Sequence, residues 1–167
     1  MTVLRHCLRA AALGAALAAA PLAAQETGTA FGDGGADPDA PVEIDADRLS
    51  VDQESGVAVF SGSVRIVQDT MRLGAARVRV IYTPGGDRIE RLEATGGVTL
   101  VSGEDAAEAT RADYNITTGM IELRGDVLLV QGESAITGDT MLVDTEAGTA
   151  RVTGRVKTVL QPGGDDR

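Results

Sequence analysis

The sequence has almost none of the side chains that most catalytic and metal sites require. Its 167 residues include one cysteine, one histidine and no tryptophan, and the first two, Cys7 and His6, lie near the N-terminus. If that segment is removed, no thiol or imidazole remains, which excludes Cys–His and Ser–His–Asp catalysis and the usual zinc sites. We therefore expect a protein that is not an enzyme and that carries no cofactor and no metal.

The N-terminal segment is typical of a secretory signal peptide. Arg5 and Arg9 precede an apolar run over residues 10–20, which is too short to cross a bilayer as a mature helix. Small residues follow, and they predict cleavage after Ala24, so residues 1–24 are interpreted as a signal peptide. A retained N-terminal anchor is the alternative. Cys7 precedes the apolar run and so does not occupy a lipidation position.

Acidic residues outnumber basic ones, at 25 against 15, and loss of the two arginines above would leave a net charge of −12. Such a surface repels nucleic acid and anionic membranes at long range, so no nucleic-acid partner is expected. Residues 25–41 are rich in Gly, Asp, Ala and Pro and predict a disordered leader, and residues 161–167 predict a flexible tail. The ordered domain is therefore predicted to span residues 42–160.

A fourfold repeat organises this predicted domain. Each unit has a glycine, an alternating strand, a second glycine and another alternating strand, and the second glycines are Gly62, Gly96, Gly125 and Gly154. Nearly equal spacing of this kind indicates one supersecondary unit stacked on copies of itself. We predict an all-β fold of repeated antiparallel hairpins, with about eight long strands, or up to sixteen if the strands are split at the glycines.

One face of the predicted sheet is apolar and the other is wet. The residues two and four positions on either side of each second glycine are apolar, except for Thr158. An interior glycine weakens a strand unless the geometry requires it, so four in register predict a crease at which strands bend from one sheet into a facing one. Four unrelated bulges are the alternative.

The apolar face is built from small and medium aliphatic residues, with Phe60, Tyr82 and Tyr114 as the aromatic residues between residues 42 and 160. Such a face is compatible with two interiors. It can pack closely into a filled core, or it can line an extended groove that fits flexible acyl chains.

Two stretches of the repeat, residues 46–68 and 109–132, resemble the OstA-like family. They share Ala-x-x-apolar, a glycine turn, Gly-x-Val and an alternating strand that ends in glutamine. The likeness covers about residues 42–160. It implies an open β-jellyroll, V-shaped in section, whose apolar interior carries the lipid A acyl chains of lipopolysaccharide in the periplasm. It also implies domains stacked end to end between an inner-membrane lipopolysaccharide-extraction complex and an outer-membrane assembly barrel.

Family members differ in what accompanies this domain. The chain is too short for the member that carries a barrel, and its cleavable-looking signal argues against the member that keeps a transmembrane helix. The soluble periplasmic member is the most similar in size and layout, which implies a head-to-tail homo-oligomer as the bridge.

The resemblance and the alternation together predict which residues line the groove and which lie on the two edge strands that contact partners. The predicted groove residues are Leu49, Val51, Ala58, Phe60, Val64, Ile66, Val78, Val80, Leu92, Val98, Leu100, Tyr114, Ile121, Leu123, Val127, Leu129, Met141, Val143, Val152 and Val156. The predicted edge-strand contacts to partners are Val42, Ile44, Val156 and Thr158. An acidic first edge and a basic last edge favour head-to-tail addition, although the same charges can merely solvate the edges.

Other function classes remain open at this stage. Carboxylate pairs occur at Asp45 with Asp47, Glu104 with Asp105 and Asp165 with Asp166, on strand ends, turns or the tail, where acids usually provide only charge. Calcium binding by Asp139, Asp144 and Glu146 lacks a recognisable ligand spacing. A dry β-solenoid scaffold or filament-forming protein shares the period and the edges, and differs only in whether the interior is open.

Overall fold

The computed structural model describes residues 28–32, 37, 39–52 and 54–160, which form eleven β-strands and, in that part of the chain, no helix. The predicted signal peptide and tail lie outside the described residues. The strands are β1 (Thr29–Ala30), β2 (Glu43–Asp45), β3 (Arg48–Asp52), β4 (Val57–Gln68), β5 (Met71–Tyr82), β6 (Ile89–Ser102), β7 (Asp105–Asn115), β8 (Met120–Gln131), β9 (Ser134–Asp144), β10 (Thr149–Thr153) and β11 (Lys157–Val159).

All strands belong to one open antiparallel sheet with the order β1-β10-β9-β8-β7-β6-β5-β4-β2, in which β3 also pairs with β4 and β11 with β9. The strands β2 and β3 lie end to end beside β4, and β10 and β11 do the same beside β9. Counted this way, the sheet has eight long strands plus the short β1, which confirms the all-β fold of antiparallel hairpins. Only two of these long strands are split at the level of the second glycines, the one formed by β2 and β3 and the one formed by β10 and β11. The strands between them, β4–β9, continue through that level and have partners on both sides.

The second glycines of the four units form the predicted crease. Gly62, Gly96, Gly125 and Gly154 have φ of +82°, +86°, +82° and +75°, and the residue after each also has positive φ. The strand register shifts beside these pairs, for example between Arg124 and Val127 opposite β9. Left-handed backbone is cheap for glycine and costly for other residues. The four bulges are therefore equivalent, and the alternative of four unrelated bulges is wrong.

The crease divides the sheet into two leaflets. The first leaflet holds β3, β10, β1 and the parts of β4–β9 within residues 57–61, 77–82, 89–95, 111–115, 120–124 and 140–144; the second holds β2, β11 and the remaining parts. We call the margin of each leaflet farthest from the crease its rim.

The two leaflets face one another. In the first leaflet Tyr114 lies in the same lateral row as Ala58, at the end of β4 opposite to Gln68. Yet the Tyr114 hydroxyl donates a hydrogen bond of 2.7 Å to Gln68 Oε1 in the second leaflet. This contact is possible only because the sheet folds back on itself at the crease, which brings the two rims together and places the apolar faces inside.

The N-terminal part of the fold differs from the expectation of a disordered leader over residues 25–41. Strand β1 lies in that range and pairs with β10, through Thr29 with Ala150 and Ala30 with Thr149. Phe31 is buried at 3% exposure. The burial of this ring in the interior orders a segment whose composition, rich in Gly and Asp, gives no sign of it.

Alanine at Gly125 tests the crease. A Cβ there would lie 2.8 Å from Thr110 Oγ1, on a backbone with φ of +82°, so we expect Gly125→Ala to lower the free energy of unfolding by about 1–3 kcal/mol. Gly74→Ala is the matched control, because Gly74 has no positive φ and open space where its Cβ would lie. That variant should change stability by less than about 1 kcal/mol in urea denaturation. Equal losses in both variants would contradict the role of the crease.

Tyr114→Phe tests the contact between the leaflets. Burial raises the pKa of the Tyr114 phenol, more than the neighbouring Thr145 hydroxyl lowers it. Below about pH 10 the phenol is protonated in folded and unfolded chains alike, but at higher pH the unfolded chain loses its proton first, so stability falls as the pH rises. We expect Tyr114→Phe to cost about 1 kcal/mol at pH 7, through the lost hydrogen bond, and to remove this alkaline decline. Urea melts at pH 7 to 11 check both effects. Equal stability at pH 7 would contradict the first, and an equal alkaline decline in the two proteins would contradict the second.

Candidate functional site

The predicted groove residues converge on the space between the leaflets. Fifteen of the twenty are buried, and they come from both leaflets and from all of β4–β9. These are Ala58, Val64, Ile66, Val78, Val80, Leu92, Val98, Leu100, Tyr114, Ile121, Leu123, Val127, Leu129, Met141 and Val143. Phe60 and Val152 are partly buried and pack against them. The alternation of each strand thus builds one continuous apolar interior.

The other three predicted groove residues are exposed because they lie at the ends of the sheet. Leu49 and Val51 are 57% and 59% exposed on β3, which has a neighbour on one side only, and Val156 is 51% exposed between β10 and β11. Their side chains continue the inner face beyond the last fully covered strand. Each end of the sheet therefore presents apolar side chains to the solvent.

The middle of the interior is filled. Val78, Leu100, Ile121 and Leu129 have no exposed surface, and a space between the rims, beside Phe31, has a volume of only about 10 Å³. Of the two interiors compatible with the sequence, the closely packed one describes this structure. A bound acyl chain would have to displace side chains or separate the leaflets, since close-packed protein interiors have no spare room for it.

Several interior residues are absent from the sequence-based set. Met71 and Leu73 are buried at the start of β5, where simple alternation from Val78 and Val80 breaks at the shift between Ala75 and Arg77. Ala94, Ala107, Ala109, Ala112 and Ala150 also face the interior. The alternation about the second glycines already places Ala94 and Ala150 on the apolar face, although neither was included among the predicted groove residues. Extending it along each strand on both sides of the crease reaches the others, but Phe31 has no alternating neighbours and gives no such signal.

The polar groups of the interior lie at the rims. Gln68, Ser102 and Thr145 are buried. Gln68 accepts from Tyr114 and donates to the backbone oxygen of Ala40 at 3.2 Å, and Thr145 Oγ1 donates to the backbone oxygen of Gly119 at 2.8 Å. Buried polar groups are stable when they are paired in this way. Packing in the interior is therefore purely apolar near the crease and includes hydrogen bonds at the rims.

The predicted edge contacts differ in exposure. Val42 and Ile44 are partly buried against the core, whereas Thr158 is exposed on β11. The basic last edge is partly neutralised, because Arg155 pairs with Asp139 across the crease, at 2.5 Å between Nη2 and Oδ1, and holds the pKa of that carboxyl below its ordinary value. The charge contrast between the two edges is therefore weaker than the sequence predicts.

Three of the acidic residues considered for chemistry, Asp105, Asp139 and Asp144, have side chains engaged in structural contacts. Asp105 accepts a hydrogen bond from the Gly32 backbone at 2.8 Å, and Asp144 accepts from the turn residues Glu146 and Ala147. Within the described ranges no three His, Cys, Asp or Glu side chains are grouped so that they could hold a metal ion. The pair Asp165 and Asp166 lies outside those ranges. Over the same part of the chain, no helix has the length and apolarity to cross a membrane.

Known proteins share this fold. The structure of LptH from Pseudomonas aeruginosa, described as the LptA-homologous periplasmic component of a lipopolysaccharide transport device, superposes with a TM-score of 0.67 at 20% sequence identity. The superposition covers 76% of this chain and 99% of that one. At this identity the likeness shows the fold, and it confirms the β-jellyroll.

Sequence relatives carry the comparison further. The lipopolysaccharide export system protein LptA of Escherichia coli K12 is 32% identical over 137 residues, which cover 75% of this chain and 74% of that protein. A Rhizobium meliloti protein of uncharacterised function is 32% identical over 166 residues, covering 93% of this chain and 89% of that protein. The family model for LptA and the LptD N-terminal domain, described as a lipopolysaccharide transport protein, matches residues 43–149. The chain therefore belongs to the LptA/LptD N-terminal domain family of lipopolysaccharide transport proteins, as its resemblance to the OstA-like proteins indicates.

Proposed function

We propose that this protein carries lipopolysaccharide across the periplasm, with the lipid A acyl chains shielded between the two leaflets. The observation that carries the proposal is the inner face itself, which is apolar across every strand from β4 to β9 and faces itself across the crease. Membership of a lipopolysaccharide transport family and the likeness to a periplasmic component support the substrate and the location.

Apolar burial is the proposed driving force. Each methylene removed from water contributes about 0.8 kcal/mol, whereas the acidic surface, with 25 Asp and Glu in the whole chain, gives no cradle for the lipid A phosphates. The headgroup therefore stays in solvent at the rims, and the acyl chains lie toward the crease. The affinity for lipopolysaccharide therefore depends far more on acyl-chain length than on salt concentration.

Loading the interior requires the leaflets to part. The side chains that fill it are small, apolar and mutually adaptable, and the crease offers a line about which the leaflets can open without breaking the ladders within each leaflet. The contacts that oppose opening lie at the rims, where Tyr114 and Gln68 are joined. An acyl chain replaces the apolar contacts that opening removes, so the cost of opening is offset only when lipid is present.

End-to-end addition extends the interior from one copy to the next. The exposed Leu49 and Val51 on β3 and Val156 beside β11 are inner-face residues that a neighbouring domain would cover. A contact between unlike ends is heterologous and builds open chains. We propose that such chains connect an inner-membrane extraction complex with an outer-membrane assembly barrel, with the protein itself acting without catalysis.

A dry, filament-forming scaffold is the second candidate function. The filled interior favours it, because Val78, Leu100 and their neighbours leave no space for a ligand in this conformation. The scaffold and the carrier share the fold and the edges, and they differ in whether lipopolysaccharide ever reaches the inner face.

Site-specific photo-cross-linking separates carrier from scaffold. A photoreactive residue at Phe60, partly buried on the inner face of β4, should cross-link to lipopolysaccharide added to the mature protein. The same residue at the adjacent Val59 points to the outer face and should give no product above background. Detection of lipopolysaccharide-shifted bands on gels measures both. No product at Phe60, or equal products at both positions, would support the scaffold.

Lysine at Leu49 and Val51 tests end-to-end addition. Both side chains are exposed in the single domain, so the double variant should keep the free energy of unfolding within about 0.5 kcal/mol. Burying two charged side chains in a joint is costly, so its oligomers should be lost in analytical ultracentrifugation. Ser50→Lys on the outer face of the same strand is the control and should still assemble. Persistent oligomers in the double variant would contradict assembly through β3.

A further inference from the structure

Residues 28–32, which we call the strap, connect the rims of the two leaflets. The Phe31 backbone N–H donates to the oxygen of Gly148 at 2.9 Å, in the first leaflet. The next N–H, of Gly32, donates to Asp105 Oδ2 at 2.8 Å, in the second leaflet. Gln131, also in the second leaflet, donates from Nε2 to the oxygen of Ala30 at 2.7 Å. Adjacent residues of one short segment thus hold opposite sides of the interior.

The ring of Phe31 lies between the rims. It is 3% exposed and shares the small remaining space with Met71 and Ser102 of the second leaflet and with Val143 and Thr145 of the first. A Cβ at Gly32, which has φ of +74°, would collide with the Ser102 side chain, so the strap lies flush against β6. The interior contains few aromatic rings, and this one occupies a position that the inner faces of both leaflets leave open.

The attachment of the strap is light compared with that of the other strands. It pairs with β10 through two residues, whereas β8 and β9 pair through ten. Gly28 and Ala30 are exposed. Segments held by short ladders open locally at lower free energy than the long-paired strands, so the strap can detach, at the cost of exposing Phe31, while the rest of the sheet stays folded.

We propose that the strap is a releasable clasp, which keeps the rims together at the β10 end and must come away before acyl chains enter there. The proposal rests on the lipid-carrying function proposed above and adds its regulation. Release withdraws the Phe31 ring and leaves an apolar space between the rims. It breaks the link between Gly148 of the first leaflet and Asp105 of the second. It also exposes the backbone groups of β10 that β1 covers, so the same step makes that edge available to an added strand.

A reversible disulfide tests whether release is required. Ala30 and Thr149 are exposed partners in the β1–β10 ladder. They adjoin the Phe31–Gly148 hydrogen bond, so they form a non-hydrogen-bonded pair, for which Cα atoms are about 4.5 Å apart and a disulfide is feasible. The only native cysteine, Cys7, lies in the predicted signal peptide. The mature Ala30→Cys/Thr149→Cys protein can therefore be locked by oxidation and unlocked by reduction.

The matched control locks β9 to β10 without touching the strap. Thr140 and Thr153 are partners on the outer face, and Thr140→Cys/Thr153→Cys introduces the same bond in the same sheet. Binding of lipopolysaccharide is measured for each protein, oxidised and reduced. Because a ligand that needs the released state binds the locked state poorly, we expect about a tenfold or greater loss on oxidation of the strap lock. The control lock should bind equally in both states. Measurable lipopolysaccharide binding that is equal for the oxidised and reduced strap lock would overturn the proposal.

A second measurement needs no lipid. Spin labels on cysteines at Glu104 and Ala147 lie in exposed turns of opposite rims, beside the strap. Phe31→Ser should lengthen and broaden the distance distribution between them relative to the protein with Phe31 intact. An unchanged distribution overturns the clasp whatever the lipid result. A lengthened distribution with no lipopolysaccharide binding by any form, unlocked or locked, keeps the clasp and refutes the carrier function.

Discussion

The fold depends on four glycine bulges that lie in one line across the sheet. A chain with two successive residues at positive φ bends sharply, and one such bend would only distort a strand. Four bends in register turn a wide sheet into two leaflets whose apolar faces meet. Everything else follows from this line: the burial of β4–β9 on one side, the return of Gln68 to Tyr114, and the presence of two rims. Without the alignment, the apolar face would lie open to water.

This alignment of glycine bulges can be predicted from the sequence. The spacing of the second glycines and the alternation on each side predict the strands, the crease and fifteen buried residues of the interior, because all of these depend on local periodicity. Whether the interior is filled or open does not depend on local periodicity. Whether Val78 and Leu100 touch their counterparts or stand apart depends on the angle at the crease and on rim contacts between residues far apart in sequence. Phe31 is unpredictable for the same reason, since its burial is decided by the two leaflets that surround it and not by its neighbours.

The chemistry of the interior is graded from crease to rim. Near the crease only apolar side chains meet, and such packing is non-directional, so it can be replaced by apolar material of similar volume. At the rims, hydrogen bonds with fixed partners, such as Tyr114 with Gln68 and Thr145 with Gly119, are added to the apolar contacts. Under the proposed carrier function, directional contacts hold the closed protein together where the leaflets would open, and adaptable apolar contacts lie where acyl chains would be accommodated.

The two end strands have the same construction. Asp47 and Asp139 each donate a backbone hydrogen bond of 3.0 Å to the crease glycine of the following unit, Gly62 and Gly154, and in both units one of the paired strands is broken at the crease. The first and last units thus share the same backbone contact at the crease. If such domains join end to end as proposed above, each joint continues the sheet and leaves a further end to which another domain can be added. The length of an assembly is then a property of its surroundings, set by the gap between its two terminating partners and adjustable by whole domains.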